Sequence, residues 1–405
     1  MTFTCACNYL VLPVRRIAPP RKLSFRSGGK LLYDLDVQLD AMRPDADMYV
    51  DIRRFRGLEL ELSCEPELAL ELRTADAMPN SYYGEIFRPA FHFSPRAGWM
   101  NDPNGLVYAQ GLYHLFFQHN PAGCNWGNMH WGHAVSPDLL HWEERPDALF
   151  PDELGTMFSG SAIVDHRNVS GLKQGAADPI LLFYTAAGGT SLLSAGQPFT
   201  QCLAYSVDGG DTFVKYAGNP VVPNLAEGNR DPKVIYDAGS GQYVMALYLD
   251  EDRFALLGSA DLLHWHELQQ LRIEGENECP DFYPLPVDGD AQNVKWVFSG
   301  AHDRYVVGSF DGAIFRPETP PRSLHYGVNG YAAQTFSNTP DGRRIRLSWN
   351  TFAPPTRGKG GMPFTGCQSV PCQMRLKTIG GEPRLCLEPR PELQSLYASV
   401  RTIRG

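Results

Sequence analysis

Leu31, Tyr33, Leu35, Val37 and Leu39 alternate with Leu32, Asp34, Asp36, Gln38 and Asp40. A period of two sends alternate side chains to opposite faces, so this stretch predicts a β-strand with a mostly polar outer face. Leu58, Leu60 and Leu62 alternate with Glu59 and Glu61 in the same way, and Met48, Val50 and Ile52 mark a third strand. The glutamates of LELELSCEPELALEL then line a solvated strand face rather than an acidic binding surface. Residues 1–75 are expected to form a small N-terminal β-rich domain, and residues 76–85, DAMPNSYYGE, a linker.

From residue 86 the pattern changes to short apolar runs broken by Gly, Pro, Asn and Asp, with almost no helical stripe. A repeat runs through it. Ser136-Pro-Asp-Leu-Leu-His-Trp142 returns as Ser259-Ala-Asp-Leu-Leu-His-Trp265, with looser copies at Ser206-Val-Asp-Gly-Gly-Asp-Thr-Phe213 and Ser309-Phe-Asp-Gly-Ala-Ile-Phe315. Each lies between two apolar runs, as a hairpin turn does. Periods of roughly 40–50 residues or more suit the four-stranded blades of a β-propeller. The reading is all-β: a five-bladed β-propeller over 86–395 whose first blade lacks a clear copy, then a tail at 396–405. A β-sandwich is the alternative, but it leaves the spaced repeats unexplained. In a propeller the innermost strands converge on a central channel, so residues far apart in sequence can share one pocket.

Bulk composition narrows the partners. A net charge of −9 without a Lys/Arg block argues against nucleic acid or an anionic membrane surface. No apolar run reaches the roughly 18 residues of a membrane span. MTFTCACNYLVLPVRR has neither the basic start nor the long apolar core of a signal peptide, which points to a cytoplasmic location. Nine cysteines without paired C-x-x-C spacing are expected to be mostly reduced, buried thiols.

Three acidic residues sit in unusual contexts: Asp102 in Trp99-Met-Asn-Asp-Pro-Asn-Gly105, Asp231 in Gly228-Asn-Arg-Asp-Pro-Lys233, and Glu278 in Glu276-Asn-Glu-Cys-Pro-Asp-Phe282. Proline fixes its own φ and biases the preceding residue toward extended backbone, so these carboxylates are expected to be aimed rigidly. Asn104-Gly105 is expected to reverse the chain into a strand, LVYAQGLYHLFF. Any one of these motifs is ordinary turn chemistry. Three on different repeats suit glycoside hydrolysis, which needs a carboxylate on one side of the bond and a protonated carboxyl on the other. FFQHNP, NWGNMHWGH and MFSGS add rings that stack on sugars and amides that read hydroxyls. Trp142 and Trp265 read as core, Trp126 as pocket, and Trp131 could be either. Cys279 reads as a polarizable neighbour of the acid or as packing. His130 and His133 have no third ligand at suitable spacing, so no metal or other cofactor is expected.

WMNDPNG, FFQHNP, the WGNMHWGHAVSPDLLHW run, FSGSA, NRDPK and ECPD together resemble the signature blocks of glycoside hydrolase family 32, the β-fructofuranosidases, in order over about residues 86–395. The resemblance implies a retaining enzyme that releases terminal β-D-fructose from fructans (levan, inulin) or sucrose, closest to the levanase or exo-inulinase type. It implies Asp102 as nucleophile, Glu278 as general acid/base and Asp231 as transition-state stabiliser, with substrate contacts from Asn101, Gln118, Trp126, Phe158, Ser159 and Arg230. Arg230 is expected to keep Asp231 ionised. A fructosyltransferase, an inverting arabinan-cleaving propeller and a non-catalytic sugar-binding propeller are the competing readings. His325 and Gly330 stand where the family block has an acid and an aromatic, which puts the contacts on that side in question. By the same resemblance the family's C-terminal β-sandwich is expected to be missing from these 405 residues, and enzymes of the family are often secreted.

Overall fold

The computed structural model describes residues 1–68, 71–351 and 362–397. It is all-β, with two short 3-10 stretches at Arg53–Phe55 and Pro391–Leu396. Among the described residues no helix is long and apolar enough to cross a membrane. Residues 398–405 of the expected tail lie outside the described residues.

The N-terminal strands form two small sheets. One runs in the order Thr2–Thr4, Glu59–Glu65, Arg21–Ser27, Lys30–Val37; the other in the order Ala46–Asp51, Tyr9–Val14, Thr74–Ala75. Leu10, Leu12, Phe25, Tyr33, Leu35, Val50 and Leu60 share one core between them. The period-two reading holds for Glu59 and Glu61, which are exposed, but fails at Asp34, which is buried. Its carboxylate accepts from the backbone N–H groups of Leu192 (3.0 Å) and Leu193 (3.1 Å), and Lys22 pairs with it at 3.1 Å. An acid expected to face water instead caps a loop of the larger body.

Four antiparallel four-stranded groups follow in sequence order. They start with Gly98–Ala109, Thr156–Val164, Arg230–Asp237 and Asp281–Val287; the first also takes Phe364–Thr365 in parallel on its inner edge. Gly330–Thr335, Ile345–Asn350, Cys372–Ile379 and Glu382–Pro389 form a further group, joined to the fourth through a parallel pairing of Val287 with Leu376. The first strand of each group touches the first strand of the next, and Gly330–Thr335 touches Gly98–Ala109.

Each repeated turn joins the third strand of its group to the fourth. In two of them the serine hydroxyl accepts from the N–H three residues on (Ser136 from Leu139 and Ser259 from Leu262, both 2.8 Å). The aspartate two residues after the serine accepts from the next N–H groups, as Asp138 does from Leu140 and His141 and Asp261 from Leu263 and His264. This side-chain capping explains why S-x-D recurs. The first group does carry a copy, at Ser136, contrary to expectation; the group without one is the last.

WMNDPNG is not a turn. It lies inside the twelve-residue strand Gly98–Ala109, and the reversal comes later, at Gln110-Gly111. LVYAQGLYHLFF is therefore a hairpin rather than a strand. Gly105, at φ +54°, belongs to an irregularity within the strand, where an added Cβ would lie 2.6 Å from the Phe116 ring and 3.0 Å from Trp131.

Candidate active site

Four of the five first strands break register at the residues that carry chemistry. The pairing slips between Met100 and Pro103, between Phe158 and Gly160, between Arg230 and Lys233, and between Tyr331 and Gln334. A bulge leaves a residue out of the ladder and re-aims its side chain. Asp102, Ser159 and Asp231 are the residues so released. Glu278 comes from the segment just before the remaining first strand, Asp281–Val287. The backbone at two of these residues and at the neighbouring Cys279 is left-handed, at φ +66° for Asp231, +29° for Glu278 and +44° for Cys279. The expectation of extended backbone before proline thus fails at Asp231 and Cys279, each followed directly by proline. Such conformations persist where the surroundings over-determine them. Here the Asp231 N–H donates to Thr185 Oγ1 (2.9 Å), and the Cys279 N–H donates to Asp231 Oδ2 (2.9 Å).

Asn101, Asp102, Gln118, Trp126, Phe158, Ser159, Arg230, Asp231 and Glu278 all line one cavity of about 170 Å³, so every sequence-predicted site residue is brought together. Ser159 Oγ donates to Asp102 Oδ2 at 2.6 Å, and Asn101 Nδ2 donates to Asp102 Oδ1 at 3.1 Å. The Cys279 thiol lies 3.4 Å from both Asp102 Oδ2 and Asp231 Oδ2, wedged between two carboxylates. Trp126 is 58% exposed and meets Phe158 edge-on, with ring centroids 5.9 Å apart. Trp131 resolves as core: it is fully buried, and its indole N–H donates to the Phe158 carbonyl at 2.9 Å. Trp142 and Trp265 pack against hydrophobic clusters, as read.

Two further cavity residues were missed. The Tyr331 hydroxyl donates to Glu278 Oε1, and Trp349 lies 6.2 Å from Tyr331 between ring centroids. Tyr331 sits inside the block where His325 and Gly330 depart from the family pattern, so a signal for it was present. Trp349 has no local chemical signature. The two departures are coupled in space: a Cβ at Gly330 would lie 3.1 Å from His325 Nε2, while His325 turns to Asp303 at 2.9 Å and does not line the cavity.

Charge is distributed differently from expectation. Arg230 does not serve Asp231 first: its Nε and Nη2 donate to Glu278 Oε2 at 3.1 and 2.8 Å, whereas Asp231 is 3.7 Å away. Burial dominates at Asp231 and, with Glu278 and Asp102 nearby, pushes its carboxyl up to about 7 despite Arg230. Asp102 is raised as well, by burial and by Glu278, against the hydrogen bonds of Ser159 and Asn101. Burial holds the Cys279 thiol well above its ordinary range, so it stays protonated. Burial and the neighbouring carboxylates thus raise both Asp102 and Asp231 above the usual carboxylate range.

His130 and His133 are buried polar links. His130 Nε2 meets the Tyr33 hydroxyl at 2.7 Å and His133 Nε2 meets His114 Nδ1 at 3.1 Å, and burial pushes both imidazoles far below their ordinary range. Among the described residues no cluster of three metal-binding side chains occurs. A larger hollow of about 660 Å³ lies elsewhere, but its Arg343, Arg375 and Lys377 are each paired with a carboxylate, and no sequence-predicted site residue lines it.

The model of the glycosyl hydrolases family 32 N-terminal domain matches residues 92–389. The chain belongs to glycoside hydrolase family 32. It is 41% identical over 349 residues to a levanase of Bacillus subtilis, covering 81% of this chain and 50% of the levanase. With an invertase of Schizosaccharomyces pombe it shares 39% over 297 residues, covering 67% of this chain and 50% of the invertase. The chain therefore spans about half the length of these relatives. Among solved structures it resembles the exo-inulinase of Aspergillus awamori, with a TM-score of 0.67 at 32% identity, covering 76% of this chain and 68% of that one. It also resembles the β-fructofuranosidase of Schwanniomyces occidentalis complexed with fructosyl-erythritol, with a TM-score of 0.67 at 33% identity over 75% of this chain and 62% of that one.

Proposed function

We propose that this chain hydrolyses the terminal β-fructosyl bond of fructans or sucrose with retention of configuration. The carrying observation is the convergence of Asp102 and Asp231, from two strand groups, and Glu278, from the segment leading into a third, on one cavity that Trp126 and Phe158 wall with aromatic rings. Asp102, oriented by Ser159 and Asn101, attacks the anomeric carbon. Glu278, held by Tyr331 and Arg230, protonates the departing oxygen and then takes a proton from the water that cleaves the fructosyl-enzyme. Asp231 binds fructosyl hydroxyls and strengthens its hold as positive charge develops on the ring. Asn101, Gln118, Trp126, Phe158, Ser159 and Arg230 provide the remaining contacts. The ring of touching first strands supports reading residues 86–395 as a five-bladed propeller beside an N-terminal β domain of residues 1–75, with 76–85 as the link.

Fructose release from sucrose, sucrose 6-phosphate, inulin and levan tests the reading, with the anomeric configuration of the first-formed sugar followed by NMR. Retained β-configuration and loss of release in Asp102→Asn are expected. Inverted product, or undiminished release by Asp102→Asn, overturns it. Fructosylated sugars in place of free fructose identify a transferase.

A further inference from the structure

Trp126 belongs to a segment several of whose other residues pack on or bond to the N-terminal sheets. Ala122 and Cys124 are buried in the same hydrophobic cluster as Leu10, Phe25 and Tyr33. Asn125 Nδ2 donates to the Arg16 carbonyl at 3.0 Å. Asn128 and Asp36 bond reciprocally: the Asp36 N–H donates to Asn128 Oδ1 at 2.8 Å, and Asn128 Nδ2 donates to the Asp36 carbonyl at 2.7 Å. Tyr33 reaches His130, where the next strand of the first group begins. Gly127 at φ +147° and Asn128 at φ +47° form the reversal behind Trp126. A half-exposed indole on a nine-residue connection between Asn120 and His130 is thus anchored on both sides by another unit's core and backbone.

We infer that the N-terminal β unit is a positioning element for substrate recognition: it clamps residues 121–129 so that Trp126 stands against Phe158 as a fixed wall for the sugar chain. Asn128 and Asn125 are the positioning residues, and neither lines the cavity. A ring held in place before the substrate arrives loses little freedom on binding, so the clamp acts on affinity more than on the bond-breaking step. This inference rests on the proposed fructan- or sucrose-hydrolysing activity.

The test is a double-mutant cycle of Asn128→Gly with Trp126→Ala in the full chain. Glycine accepts the φ of +47° at position 128, so the substitution removes the bonds to Asp36, together with one to Asn120 Oδ1 (3.1 Å), without forcing the turn. With inulin as substrate, Asn128→Gly is expected to raise KM roughly three- to tenfold, the size of an aromatic contact, with a smaller change in kcat. In the Trp126→Ala background it should add almost nothing. Asn125→Ala, which breaks a separate bond, should show the same dependence on Trp126. Acrylamide quenching of Trp126, isolated as the difference from the Trp126→Phe counterpart, should increase when the clamp is removed. Equal effects with and without Trp126, or unchanged quenching, overturn the inference. Failure of the parent protein to release fructose from any of the four sugars overturns the hydrolase reading instead, and the quenching result still decides the clamp.

Discussion

Replacing Asp231 by asparagine should make the protein more stable and much less active, and the stability gain should depend on pH. Asp231 is 5% exposed, and its carboxyl is pushed from the ordinary 3.8 up to about 7, chiefly by burial. Below about pH 4 the acid is neutral in both folded and unfolded chains and contributes nothing. Between about 4 and 7 the unfolded chain ionises while the folded one holds its proton, so stability falls as pH rises. Above about 7 the full penalty is in place. A rise from 3.8 to about 7 corresponds to about 4 kcal/mol at ~1.4 kcal/mol per pH unit. Asparagine removes that penalty, tolerates the φ of +66°, and keeps an oxygen to accept from the Cys279 N–H. For a chain of 405 residues, unfolding entropy is roughly 0.8 kcal/mol per kelvin, so the gain is about 5 °C in Tm. Scanning calorimetry of parent and Asp231→Asn at pH 4 and pH 8 should show that gain at pH 8 and almost none at pH 4. An equal shift at both values, or destabilisation at pH 8, would refute the assignment of the buried charge.

Asp102→Asn should lower fructose release by roughly three orders of magnitude or more while leaving Tm within a few degrees, read by released reducing sugar and calorimetry. Ser159→Ala removes a 2.6 Å donor from Asp102, and a hydrogen bond to an ionised group is worth ~1.5–3 kcal/mol. Because that bond favours the charged carboxylate, the acidic limb of kcat/KM should move up by about one to two pH units; an unmoved limb counts against Asp102 as the group that must be ionised. Gly105→Ala forces a Cβ to within 2.6 Å of the Phe116 ring at φ +54°, and should cost about 2–4 kcal/mol, seen as a lower denaturant midpoint.

The all-β class and the repeated turns were legible because each has a local cause, while the nine predicted site residues were legible through the resemblance to the family's blocks. S-x-D caps its own turn, and the carboxylate motifs hold unusual residues at fixed spacing. What was not legible depended on contacts between distant segments. Asp34 obeys the alternation rule yet is buried, because the backbone of Leu192 and Leu193 waits for it across more than 150 residues. WMNDPNG has the composition of a turn, but pairing with Trp99↔Asn120 on one side and Ala109↔Leu112 on the other overrides it and makes a bulged strand. Arg230 adjoins Asp231 in sequence, yet the bulge turns its guanidinium to Glu278. Tyr331 lies in the block where His325 and Gly330 depart from the family pattern, and only the fold turns its hydroxyl to Glu278.

The strand that bears Asp102 is completed from the far end of the chain. Phe364 and Thr365 pair with Gly98 and Trp99, the Gly98 N–H donates to the Pro363 carbonyl at 2.7 Å, and Gln368 Nε2 donates to the Asn101 carbonyl at 2.9 Å. During synthesis, the strand that holds Asp102 therefore stays unfinished until residues past 368 have left the ribosome. Contacts this remote form late. A chain interrupted before that point lacks the segment that completes the Asp102 strand, so the cavity is closed only by the far end of the fold.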